Sequence, residues 1–174
     1  CLLADVGDFP DVEAVDVELY DGLLVVADHS YASGRVRVLD PSDPRWIQEL
    51  GFAPLPSDAV AVAVSPGLAM AAHVTLYVDI FVDGGLTTVD LVDPTDPTVL
   101  GTTFVDGSVS DVAASGTTAF MINDGELAVV DCSAPRTPAE IARYAPDATF
   151  FRAVDVEADV AFLVGNYGTI CAVG

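Results

Sequence analysis

The run Leu127-Ala128-Val129-Val130-Asp131-Cys132-Ser133-Ala134-Pro135-Arg136-Thr137-Pro138 decides the fold. A short apolar, β-branched stretch leads into an aspartate, and two prolines follow. Such a stretch suits an extended strand. Proline has no N–H to give to a sheet ladder, so Pro135 and Pro138 belong to a connection. The run therefore predicts a strand ending at Asp131 and a turn beyond it. The same device stands at Val36-Arg37-Val38-Leu39-Asp40-Pro41-Ser42-Asp43-Pro44 and at Thr87-Thr88-Val89-Asp90-Leu91-Val92-Asp93-Pro94-Thr95-Asp96-Pro97. A worn copy, Thr169-Ile170-Cys171-Ala172-Val173-Gly174, stops where the aspartate would stand.

Working outward, each copy repeats one order of segments at a period of roughly 41 to 50 residues. In the third copy the expected strands are Ser110–Ala114, Thr118–Asn123, Leu127–Asp131 and Glu140–Tyr144. Ser115-Gly116 and Asp124-Gly125 supply the turns between the first three. No apolar stripe of helical period survives, so helices are expected to be nearly absent. Four short antiparallel strands per repeat of this length make one blade of a β-propeller. The chain reads as a single all-β propeller domain or propeller segment of about four blades. Its repeats fall near 14–57, 58–107, 108–150 and 151–174 plus 1–13.

With those motifs in view, the chain resembles the LVIVD-repeat family, in which an apolar strand ending in Asp precedes an Asp-Pro-x-x-Pro-like turn. The resemblance is strong in copies one and three, weaker in copy two and cut short in copy four. It implies a propeller carried on secreted or cell-surface proteins. It implies no shared catalytic residue. Leu2–Asp5 aligns with Ile141–Tyr144, a fourth strand. Two arrangements follow: a closed small ring completed by that strand, or an arc of a larger propeller with further blades from the same parent chain. The arc is the expectation.

The 174 residues carry 27 acidic side chains against 6 arginines and no lysine, a net charge of −21. Phosphate binding needs clustered Lys and Arg, so nucleic acid is excluded as a partner. No apolar run reaches the roughly 20 residues that span a bilayer. The acidic balance suits a surface kept soluble in high salt or a GC-rich coding bias. Its sharper reading is a cation-binding surface. Cys1, Cys132 and Cys171 match no zinc or disulfide framework.

Antiparallel pairing places the start of strand one beside the end of strand two. That predicts Asp16 near Asp28, Asp111 near Asn123 and Ala61 near His73, with Asp155 and Gly165 in copy four. Asp16, Asp111 and Asp155 are read as opening equivalent strands, with Ala61 in their place in copy two. These positions are expected to ring one mouth of the channel. Each Asp is read first as a structural cap on a strand or turn. The alternative is a cation site built from Asp16, Asp28, His73, Asp111, Asn123 and Asp155, for which calcium is the ion that suits oxygen ligands. No cofactor is otherwise expected. His29 and His73 lack ligand spacing, and no nucleophile motif is present. Asp90, Asp93 and Asp96 are spaced as a metal loop would be, but copy three has Asp131, Ala134 and Thr137 there, which favours a turn.

Copy two carries an apolar insertion, Val74–Val82. It is expected to lengthen a hairpin, with Tyr77, Ile80 and Phe81 as candidates for partner contact. Trp46 is expected to cover a blade edge. The functional expectation is a non-enzymatic interaction scaffold, extracellular or on the cell surface. The alternatives are an enzyme using carboxylates at the mouth and a purely structural segment.

Overall fold

The computed structural model describes residues 13–29, 34–43, 45–76, 82–146, 150–158 and 160–174. The described residues form strands joined by turns, with one short 3-10 turn at Asn166–Gly168. The first sheet holds β1 (Ala14–Tyr20), β2 (Leu23–Asp28), β3 (Arg35–Asp40) and β4 (Gln48–Pro54). The second holds β5 (Asp58–Ser65), β6 (Leu68–Leu76), β7 (Val82–Asp90) and β8 (Thr98–Asp106). The third holds β9 (Val109–Ser115), β10 (Thr118–Asn123), β11 (Glu126–Asp131) and β12 (Ala139–Tyr144). The fourth holds β13 (Phe151–Glu157), β14 (Val160–Gly165) and β15 (Ile170–Val173). Every neighbouring pair is antiparallel and in sequence order. This is the blade architecture that the repeat predicts.

Each blade buries its faces against the next. Val25, Val36, Val62 and Ala69 pack between blades one and two. Met70, Leu86, Met121 and Val130 pack between blades two and three. Ile122, Leu127, Phe151 and Leu163 pack between blades three and four. Fully burying one such Val, Leu or Phe contributes about 1.5–3 kcal/mol. The first strands stack in turn, β1 on β5, β5 on β9 and β9 on β13. β13 and β1 do not pack in this way, so the described blades form an open arc. The pairing expected of Leu2–Asp5 lies outside the described residues.

The double-proline turn has two jobs in this packing. In blades one to three the aspartate that ends the third strand caps the turn: Asp40, Asp90 and Asp131 accept the amides of Ser42, Val92 and Ser133 at 2.8–2.9 Å. Asp93 likewise accepts the Thr95 amide, and the Asp96 amide donates to the Asp93 carbonyl. That is Asx-turn chemistry, and it settles Asp90, Asp93 and Asp96 as turn residues. The turn then docks on the fourth strand of the preceding blade. A Cβ on Gly51 would lie 2.7 Å from the Thr95 carbonyl, and one on Gly101 would lie 2.5 Å from the Arg136 carbonyl. Only glycine admits that approach. The same position in β12 is Ala142, which pairs with Val129 as Gly101 pairs with Thr88.

β6 and β7 each run nine residues and stay paired as far as Leu76 and Val82. The insertion does lengthen a hairpin. Tyr77, Ile80 and Phe81 lie outside the described residues. Trp46, expected to cover a blade edge, is instead 77% exposed. No helix among the described residues is long and apolar enough to cross a membrane.

Candidate functional site: the inner strand ends

The register of the first strands decides which residues are equivalent. Each of these strands bulges once near its start. In β1 the shift lies between Ala14 and Asp16, and Asp16 then faces Ala27. In β9 Asp111 faces Ile122 after the same shift. In β13 the shift lies between Phe151 and Ala153, so Ala153 faces Val164. Ala153, not Asp155, therefore holds the place of Asp16, Ala61 and Asp111. Asp155 is two residues further on, level with Glu18. The expected equivalence of Asp155 is corrected accordingly. The bulge is common to the four first strands and does not set Asp155 apart; the like runs Val15–Glu18 and Val154–Glu157 simply stand two residues out of register.

Asp16 and Asp111 do one job. The Asp16 carboxylate accepts the Val17 amide at 2.8 Å and, across the blade boundary, the Val62 amide at 2.9 Å. Asp111 accepts the Val112 amide at 2.9 Å and the Val154 amide of blade four at 2.8 Å. Each carboxylate clasps its own blade to the next. Blades two and four carry Ala61 and Ala153 there and have no clasp to give. Among the described residues Asp155 accepts only the amide of its neighbour Val156.

The second-strand ends hold a different set. Asp28, His73 and Asn123 are fully buried within their blades. Each ties down the segment that leads into strand one. Asp28 accepts the Glu13 amide at 3.0 Å, His73 Nδ1 pairs with Ser57 Oγ at 2.8 Å, and Asn123 donates to the Asp106 carbonyl at 3.2 Å. Asp28 also binds Arg37 at 2.6 Å, and Arg37 reaches on to Glu49. The Arg35 guanidinium lies over the Phe52 ring, 4.6 Å from its centre. His73 Nε2 has no partner, and the ring packs edge-on against Phe104. Burial lowers the His73 pKa to about 4, so the ring is neutral at pH 7. The His29 Nδ1 is 3.3 Å from the Ala59 carbonyl, and its Nε2 is 3.9 Å from Asp58.

The predicted ring therefore separates into two layers. Asp16, Asp111 and Asp155 interact electrostatically around the inner strands; Asp28, His73 and Asn123 lie buried at the second-strand ends and hold the segments that lead into strand one. The inner group includes Glu18, which sequence reasoning missed. Residues i and i+2 of a strand share a face, so Asp16 itself pointed to Glu18. Burial raises the Glu18 pKa, and Asp16, Asp155 and Asp111 raise it further. Burial likewise raises Asp111, against the lowering effect of the Val154 and Val112 amides, with Asp16 and Asp155 adding to the rise. Among the described residues no three acidic, His or Cys side chains stand close enough to hold a metal ion.

The other notable surface is apolar. Val17 is 54% exposed, whereas its equivalents Val62, Val112 and Val154 are all under 9%. At the far end of the arc Val164 is 49% exposed, whereas its equivalents Ala27, Ala72 and Ile122 are fully buried. Leu19 beside Val17, and Phe162 and Ile170 beside Val164, are exposed as well. These are the two halves of one blade junction, each left open.

The chain is similar in fold to the crystal structure of the computationally designed Ika4 protein. The TM-score is 0.64 at 13% identity, over 95% of this chain and 93% of that one. At that identity the likeness concerns the fold alone. No curated relative matches the chain. Residues 106–146, the third blade, match the LVIVD repeat family. The repeat read at Leu127–Pro138 lies inside that match, and the chain is thus a β-propeller whose third blade is an LVIVD repeat.

Proposed function

We propose that this chain is a non-enzymatic propeller module that acts as an interaction scaffold outside the cell or on its surface. One observation carries the reading: side chains buried at every internal blade junction are exposed at the two outer ones. Contiguous exposed apolar surface marks a contact site. The partner this calls for is another blade-like apolar face, such as further blades of the same parent chain. The mouth supports the same reading from the other side. Both oxygens of Asp16 and of Asp111 are occupied by backbone amides, so neither is positioned as a free acid, base or ligand. No resident cofactor belongs to this reading. The net charge of −21 argues against nucleic acid. The extracellular or surface location rests on the family resemblance.

Sedimentation velocity over a range of protein concentrations tests the contact surfaces. The unmodified chain is expected to associate as concentration rises. A chain carrying Val17→Asp and Phe162→Asp is expected to stay monomeric. An unmodified chain that sediments as a monomer throughout would count against the open faces as contact surfaces.

A further inference from the structure

The blades repeat, so one cleft can be read against its neighbour. Between blades one and two, on the side of the double-proline turns, lies a cleft of about 200 Å³ lined by Tyr20, Leu23, Gly67, Leu91 and Pro94. The Tyr20 phenol lies along it, and its oxygen accepts the Gly67 amide at 2.8 Å. Between blades two and three lies the equivalent cleft, of about 460 Å³, lined by Ser65, Leu68, Thr117, Cys132 and Pro135. The strand registers match the residues that frame the two clefts. Tyr20 and Ser65 each pair with the residue that opens the second strand, Leu23 and Leu68. The Gly67 carbonyl accepts the Leu91 amide, and the Thr117 carbonyl accepts the Cys132 amide. The larger cleft is thus the smaller one without its tyrosine.

Its chemistry matches that vacancy. Ser65 is 7% exposed and lines the cleft, and its hydroxyl makes no side-chain hydrogen bond among the described residues. Leu68, Leu100 and Pro135 supply apolar walls. Cys132 at its floor is fully buried. A phenol satisfies both halves of such a site, because its ring suits an apolar wall and its hydroxyl both donates and accepts. We propose that the cleft between blades two and three binds a small phenol in the place that Tyr20 fills between blades one and two.

The test uses p-cresol, with toluene as the isosteric control, followed by amide NMR of the whole chain. Saturable shifts are expected at Ser65, Thr117 and Cys132 with p-cresol. Toluene should bind about tenfold more weakly, the effect of one missing hydrogen bond. Ser65→Tyr should abolish the p-cresol shifts by supplying the missing ring. Tyr20→Ser should create a second set of shifts at Gly67 and Leu91. The proposal is overturned if p-cresol leaves the cleft amides unmoved, if toluene binds as well, or if Ser65→Tyr binds p-cresol unchanged. Should Ser65→Tyr fail to fold, Tyr20→Ser decides alone: no second set of shifts refutes the equivalence of the clefts.

Discussion

Asp16 and Val62 are joined by a hydrogen bond of 2.9 Å that crosses from the first blade to the second. Asp111 and Val154 repeat the bond at 2.8 Å from the third blade to the fourth. The junction between blades two and three has Ala61 at that place and is held by packing around Met70, Leu86 and Met121. The clasps account for the recurrence of an acid at this position without any appeal to a ligand.

Removing a clasp leaves a backbone N–H without its acceptor. Asp16→Ala and Asp111→Ala should each lower stability by about 1–3 kcal/mol. Asp155→Ala breaks only a bond to its own neighbour and should stay within about 0.5 kcal/mol of the unmodified chain. Chemical denaturation of the three variants checks the contrast. Equal losses in all three would refute the inter-blade role.

The close approach of the double-proline turn predicts a positional effect. Gly101→Val forces a side chain against the Arg136 carbonyl and should cost about 1–3 kcal/mol or more, as overpacking does. Ala142→Val, at the same place in the next blade, lies on an exposed strand and should be tolerated. Thermal melts of the pair give the answer.

The Asp28–Arg37–Glu49 chain is sensitive to losing one member. Arg37→Met leaves the Asp28 carboxylate buried without its cation. Breaking such a pair from one side costs about 3–5 kcal/mol. The double variant Asp28→Leu, Arg37→Met should recover much of that loss, and denaturation curves of both variants measure it.

Two groups give opposite pH dependences. His73 is neutral in the fold, with its pKa lowered from 6.5 to about 4 by burial. The unfolded chain takes up that proton first, so stability falls as pH drops from 6.5 towards 4, by about 3 kcal/mol in all. His73→Phe should remove that slope. Glu18 and Asp111 are raised, so the fold favours their neutral forms. Their penalty is absent below the ordinary carboxylate values and grows as pH climbs from there through the raised ones. Glu18→Gln should therefore raise Tm at pH 7 by roughly 1–3 °C, the size of an exposed charge interaction. It should change nothing at pH 3.5, and added salt should shrink the gain. Melts of both variants between pH 3.5 and 7 separate the two effects.

Much of this was legible in the residues. The strand–Asp–proline unit predicts the blades because period-two apolarity and the missing proline N–H are local properties. The structural reading of the Asp residues followed from their recurrence. Asp155 is misplaced because Val154-Asp155-Val156-Glu157 repeats the run Val15-Asp16-Val17-Glu18 two residues nearer its turn: Glu157 pairs with Val160 where Tyr20 pairs with Leu23. The clasps were not visible because Asp16 and Val62 lie 46 residues apart, and only the stacking of blades joins them. The exposure of Val17 and Val164 could not be read from residue type, since their equivalents are just as apolar and fully covered. Gly51 and Gly101 look like ordinary strand glycines until the turn of the next blade is seen upon them.

The measurement that tests the account most directly is solvent accessibility at the two ends of the arc. A soluble paramagnetic agent, added to dilute monomeric protein, reports it through methyl relaxation. The account predicts strong relaxation at Val17, Leu19, Val164 and Ile170, with Val62, Val112 and Ile122 protected. Protection of Val17 and Val164 equal to that of Val62 would mean that the ring is closed, and the open faces with the function proposed for them would fall.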